Sequence, residues 1–389
     1  MPAEGPDDAD KARSAYVGPH WRFSHVLNVR AAARDKGGDV SSDRHARVLS
    51  RLVLRIDAFP HILPPKFFQV MFEKAGPLAA NLGKRVRGIP VLYDLEARWR
   101  ALEEFGDDYR QILTLAHPPI EALGPPTHCV ELARRANDEV ADLVAKHERF
   151  LGFAASLPMN DPDGAVREAQ RAVRELGALG IQIHTNVNGM PLDDPRFAPL
   201  FAAMAELDKP IWVHPARIAT HPDYVTEQRS KFEMWWVFGW PYETALFMSR
   251  VIFSGVLDRH PNLRILTHHG GGMVPHFAGR IGPGLDQLGA RTPDEDLTHV
   301  ARSLKKRPFD YYKMFYGDTA LFGAQHAVRC ALEFFGFEHM LFGTDMPFDP
   351  EKGPMFIRET MKNIDALGLS PADRQSLYEG NARRVLGVH

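Results

Sequence analysis

The stretch Ile265-Leu266-Thr267-His268-His269-Gly270-Gly271-Gly272 delivers two imidazoles to a run of glycines. Imidazole is the side chain best suited to proton transfer or metal ligation near neutral pH. Glycine weakens a strand and adopts backbone angles closed to other residues, so the chain can turn sharply where the imidazoles emerge. Pro210-Ile211-Trp212-Val213-His214-Pro215 repeats the plan, a short apolar strand ending in histidine and stopped by proline. Met340-Leu341-Phe342-Gly343-Thr344-Asp345-Met346-Pro347 does the same with a carboxylate.

Strands must position these groups. Short apolar runs lie at Leu52–Asp57, Gln111–Leu115, Phe150–Ala155, Gly180–Ile183, Ile211–His214, Arg264–His268, Met314–Asp318 and Met340–Asp345. Helical patterns separate them, as in Ala165–Leu179, where Val166, Ala169, Ala172, Val173 and Leu176 share one face. Pro195–Leu207, Tyr242–Leu257, Gly323–Phe334 and Pro354–Leu367 read similarly. Alternating strands and helices imply parallel pairing with right-handed crossovers. Eight such units are the count of a closed (β/α)8 TIM barrel. An open doubly wound sheet is the weaker alternative, because no Gly-x-Gly-x-x-Gly follows an early strand. Residues 1–15 read as a mobile polar tail, 16–51 as an extension packed on the barrel, and 52–389 as the barrel itself.

Composition narrows the class of function. The 389 residues are 44% hydrophobic and 25% charged, with a net charge of -2, so a large core is expected and disorder is not. No basic excess points to nucleic acid or an anionic membrane, and no apolar run is long enough to span a bilayer. Cys129 and Cys330 are the only cysteines, which excludes a disulfide framework and a multi-cysteine zinc site and suits the reducing cytoplasm.

In a barrel, chemistry sits at the C-terminal ends of the strands. The polar residues there are Asp57 and His61, His184, His214, His268 or His269, Asp318 and Asp345. Each has a plain structural reading: a strand-end histidine is often a hydrogen-bonded core residue, and Asp345 would serve as a helix N-cap. Collected from several strands onto one rim, they favour a site. Strand alternation sends His268 and His269 to opposite faces, unless the glycines disturb the backbone.

Ile56-Asp57-Ala58-Phe59-Pro60-His61-Ile62-Leu63-Pro64 resembles the first-strand motif of the amidohydrolase superfamily. The closer similarity is to its branch of metal-dependent aminocarboxymuconate-semialdehyde decarboxylase-like enzymes. Val213-His214-Pro215, Trp240-Pro241-Tyr242-Glu243-Thr244, Phe253 to Pro261, His269-Gly270-Gly271-Gly272, Gly343 to Phe348 and Glu379-Gly380-Asn381-Ala382 fit that branch in order and approximate spacing. The resemblance implies that His61, His214 and Asp345 hold one divalent metal ion, zinc or manganese. It implies that His269, with Asp345, manages a proton. Phe59 stands where the family's first histidine ligand belongs and cannot coordinate, which leaves that position to water, to another group, or to a site without metal.

For substrate, Arg87 in the basic loop Gly83-Lys84-Arg85-Val86-Arg87 resembles a carboxylate-binding arginine, a task suited to the planar guanidinium fork. Arg280 matches an arginine that the family offers across a dimer interface, so a homodimer is expected. His184 reads as a substrate-facing polar residue or else as a fourth metal-binding nitrogen, and Trp235 and Trp236 as walls for an unsaturated ligand. The implied activity is non-oxidative decarboxylation of a carboxylated aromatic or unsaturated ring-derived acid, a lyase reaction on a small-molecule carboxylate. Hydrolysis of a lactone or a C–C bond, with or without metal, is the alternative. A barrel that binds a ligand without catalysis is the second.

Overall fold

The computed structural model describes residues 53–74, 84–293 and 296–388. The expected tail and the extension at 16–51 lie outside the described residues. Eight parallel strands follow one another around the sheet: β1 Arg55–Asp57, β2 Tyr109–Leu115, β3 Phe150–Ser156, β4 Gly180–His184, β5 Ile211–His214, β6 Ile265–Thr267, β7 Tyr316–Asp318 and β8 Met340–Leu341. Each pairs with the next in sequence. The turn from β8 back to β1 is made by single backbone bonds instead of a ladder: Ala58 N–H to Phe342 O at 2.8 Å, His61 N–H to Met346 O at 2.8 Å and Asp345 N–H to Phe59 O at 3.2 Å. This is the TIM barrel expected from the alternation of strands and helices.

Several strands are shorter than their apolar runs. β8 stops at Leu341, not Asp345, because Phe342 to Asp345 leave the ladder to cross towards β1. The helices follow their caps. Pro162–Glu175 starts where the Asp161 carboxylate accepts from the Gly164 N–H, buries Ala165, Ala169 and Ala172, and ends just before Gly177 at φ 71°. Gly239–Phe253 begins three residues before its sequence pattern and ends at a turn through Gly255, φ 73°. Among the described residues no helix is long and apolar enough to cross a membrane.

The interior positions the site from below. Trp212 of β5 is fully buried and its indole N–H donates across the barrel to Ala58 O at 2.8 Å. Ile56, Ile112, Ala154, Leu266 and Leu341 pack with it. This apolar layer floors the site, whose polar side chains stand at and beyond the strand ends. Arg98 is also fully buried. It donates to Gln111 Oε1 at 2.9 Å and to His61 O at 2.9 Å, so it fixes the backbone that carries His61.

Candidate metal centre and active site

Above the floor, His61, His214, His268 and Asp345 present one ligand atom each within 4.8 Å of one another, all buried. Three hydrogen bonds set the imidazole tautomers. Thr114 Oγ1 gives its proton to Pro60 O at 2.8 Å, so it must accept from His61 Nδ1 at 3.0 Å. Pro215 O accepts from His214 Nδ1 at 2.7 Å. An Asp318 carboxylate oxygen accepts from His268 Nδ1. A carbonyl or carboxylate takes only a proton, so each ring keeps one on Nδ1, and whenever the ring is neutral its lone pair lies on Nε2.

Those lone pairs converge. His61 Nε2 lies 2.9 Å and His268 Nε2 3.2 Å from the same Asp345 Oδ1. Neither nitrogen has a hydrogen-bond partner, although both are buried. Unpartnered buried polar atoms cost about 1–3 kcal/mol each, and a cation seated among them would remove that cost. Imidazole nitrogen with one carboxylate is the donor set of catalytic zinc and of manganese alike. The residues present therefore fit a single divalent ion.

His269 reaches the same carboxylate from the other side, Nε2 to Asp345 Oδ2 at 3.4 Å. It does so because its backbone is left-handed, φ 55° and ψ 46°, followed by glycines at φ 59°, 78° and 63°. The expected alternation of His268 and His269 fails for this reason: the left-handed step turns both rings inward, centroids 3.9 Å apart. Asp318 holds the turn in place, its other oxygen accepting from Gly270 N–H at 3.0 Å. Asp345 is also left-handed, φ 63°. Its neighbour Thr344 is tied by backbone and hydroxyl to the buried Asp57, which also receives the Tyr109 hydroxyl and the Phe59 N–H.

Burial and charge set the protonation. Burial pushes His61, His214 and His269 below the ordinary imidazole value, so they favour the neutral form. Burial alone would do the same to His268, but Asp318 and Asp345 hold it up at about 9. Burial also opposes the Asp345 charge, yet the close His268, His269 and His61 imidazoles keep it well below the usual carboxylate range.

The wider rim holds two further histidines. His184 ends β4 in register with His214 on β5, and His117 follows β2. Both are buried, both lack a partner at Nε2, and both are driven neutral by burial, His184 to about 3. Trp240 lines the same space, stacked on His269 with centroids 6.2 Å apart and beside His117 at 5.8 Å.

Two adjacent arginines diverge. Arg87 is exposed and its guanidinium sits 4.4 Å over Phe72. Arg85 turns inward, 5.1 Å over Trp240 and 5.1 Å over Phe348, with burial pulling it down to about 10, still charged at neutral pH. Trp236 is half-exposed, donating to Glu233 at 2.9 Å with its ring 6.3 Å from Trp240, so it borders the site rather than lining its floor. Arg280 is exposed on the helix Ala278–Leu285. Sequence reasoning thus missed His117, Arg85, Trp240 and the inward face of His268. Only His117 carried a readable signal: Ala116-His117-Pro118 repeats the strand-histidine-proline pattern of His214.

Known proteins are similar to this chain in sequence and fold. A 2-amino-3-carboxymuconate-6-semialdehyde decarboxylase of Dictyostelium discoideum is 33% identical over 354 residues, covering 86% of this chain and 92% of the relative. A gamma-resorcylate decarboxylase of Rhodococcus jostii is 33% identical over 287 residues, 70% of this chain and 81% of the relative. A crystal structure of a dihydroxybenzoic acid decarboxylase from Polaromonas, with bound manganese and 2-nitroresorcinol, superposes with TM-score 0.69 at 27% identity, covering 86% of this chain and 97% of that one. The family model for amidohydrolases matches residues 88–388, from just past the inward-turned Arg85 to beyond Asp345, and the chain belongs to that amidohydrolase family.

Proposed function

We propose that the protein is a metal-dependent, non-oxidative decarboxylase of a carboxylated aromatic or unsaturated ring-derived acid. The observation that carries this reading is the convergence of unpartnered Nε2 lone pairs on Asp345, with His269 beside them on the open side. His61, His214 and Asp345 would hold a divalent ion, which when bound supplies a Lewis acid for the substrate's oxygens. Manganese in the Polaromonas relative favours that ion over zinc.

The remaining work belongs to side chains. Arg85, charged and without an ion-pair partner among the described residues, suits the substrate carboxylate, and the Trp240 face suits its unsaturated ring. His117 and His184 offer hydrogen bonds to further oxygens. In the reaction the bond from ring carbon to carboxylate breaks, carbon dioxide leaves, and the carbon gains one proton. His269 holds that proton at Nε2, where Asp345 Oδ2 supports the imidazolium. An arriving carboxylate opposes the burial that keeps His269 neutral, so substrate binding itself favours loading the proton.

A homodimer is part of the proposal. The large hydrophobic side chains exposed among the described residues lie between Ile218 and Leu246 or at Phe277 and Phe322, side chains of the kind a second subunit covers. Exposed Arg280 lies close to Phe277 in the chain. Both cysteines are free, which supports the cytoplasm as location.

The test is product detection. Protein loaded with manganese is incubated with 2,6-dihydroxybenzoate and other ring carboxylates, and carbon dioxide is measured. A product that keeps its carboxylate and gains water would indicate hydrolysis or hydration and overturn the reading.

A further inference from the structure

Phe59 sits at the end of the first-strand segment, between Asp57 and His61, fully buried and without a lone pair. Its ring lies flat against His268, centroids 3.8 Å apart and planes 17° from parallel. His268 is likewise fully buried, and its Nε2 faces Asp345 Oδ1 at 3.2 Å, opposite the His61 Nε2 that approaches the same oxygen. Asp318 receives the Nδ1 proton and also the backbone N–H groups of Gly270 and Ala320, so the imidazole is aimed from behind by a carboxylate that is itself fixed. A carboxylate behind a histidine, fixing its tautomer and raising its basicity, is the usual support of a metal-ligating ring.

We propose that His268 supplies the metal-binding nitrogen that residue 59 lacks. The donor has moved from the first strand to the end of β6, and Phe59 has become the platform against which the new ligand packs. An ion there would be held by three imidazoles and one carboxylate, His268 giving up its Nε2 proton as the ion binds. His269 is not the replacement: its Nε2 faces the other oxygen, Oδ2, and its ring leans on Trp240 towards the cavity, where substrate would lie. The assignment rests on the metal reading above and specifies its geometry.

Calorimetric titration of metal-free protein with manganese and zinc ions tests it, together with X-ray absorption of the zinc-loaded form, which counts imidazoles. The wild type is expected to bind one equivalent with three imidazoles. His268→Ala and His268→Gln should bind more than about 100-fold more weakly, and Asp318→Asn about 10–100-fold more weakly, the range for a supporting residue. The exchange variant Phe59→His/His268→Ala should recover to within about tenfold of wild type, and His269→Ala should bind as wild type does. A wild-type spectrum with two imidazoles, or a folded His268 variant that binds as wild type does, overturns the assignment and leaves the metal reading standing. A wild type that takes up neither ion overturns both. The imidazole count needs no variant, so a His268 substitution that fails to fold does not shelter the proposal.

Discussion

His184 and His214 are register partners on neighbouring parallel strands, and their imidazoles leave the barrel at one height, centroids 5.5 Å apart. One ring belongs to the metal group, while the other has no partner at Nε2 and stands 5.5 Å from His117. Two buried, neutral imidazoles with unpartnered Nε2 atoms beside the candidate metal group are polar surface suited to a ligand. His117→Leu and His184→Leu should each raise the KM for the carboxylate substrate about tenfold, the worth of one hydrogen bond, with metal content unchanged. Steady-state kinetics with elemental analysis checks this. An unchanged KM in both variants would remove the pair from the binding surface.

The neighbouring arginines make a sharper comparison. Arg85→Ala should weaken substrate binding about 10–100-fold, since it removes a charged hydrogen-bonding partner from a half-enclosed site. Arg87→Ala should change KM less than about twofold, because that side chain rests over Phe72 in solvent. Equal losses in the two variants, or a larger loss at Arg87, would restore the residue chosen from sequence.

His269→Ala should lower turnover by about 10²–10⁴-fold while metal content and fold persist, the range for loss of a positioned acid or base. Carbon dioxide release and manganese content, measured on the same preparation, decide it. Full turnover in the variant would place the proton on another group.

Glu121 offers a prediction about stability instead of catalysis. It is buried, its Oε1 has no partner, and burial lifts its carboxyl from 4.5 to about 8. Because the folded value lies above the unfolded one, its contribution to stability is complete below pH 4.5 and is lost as pH rises through about 8. Glu121→Gln removes the titration. Relative to wild type, the variant should gain on the order of 4 kcal/mol between pH 4 and pH 9. Urea unfolding at the two values measures the gain, and parallel curves for both proteins would show that Glu121 reaches water.

The barrel was legible because parallel strands buried on both faces write themselves as short apolar runs, and each run ending in His or Asp marked the rim. His61, His214 and Asp345 could be found that way, and the family resemblance chose His269 over His268. His268 could not be placed, because period-two alternation assumes extended backbone and His269 is left-handed. Nor could Arg85 be told from Arg87: both stand in one basic loop, and only the packing of that loop sends the first inward. His117 was legible in principle, but the two prolines after it invite a reading as mere loop.

The barrel's last and first strands meet without a ladder, joined by three backbone bonds at Ala58, His61 and Asp345. His61 and Asp345 are also the two metal-group residues that face each other across that join, 2.9 Å apart. A cation held by both would tie the barrel's first-strand side to its last, so occupancy would work as a latch on the cylinder. Amide exchange at Ala58, His61 and Asp345 would slow when the latch is shut, while the amides of the laddered strands β3 to β5 would keep their pace.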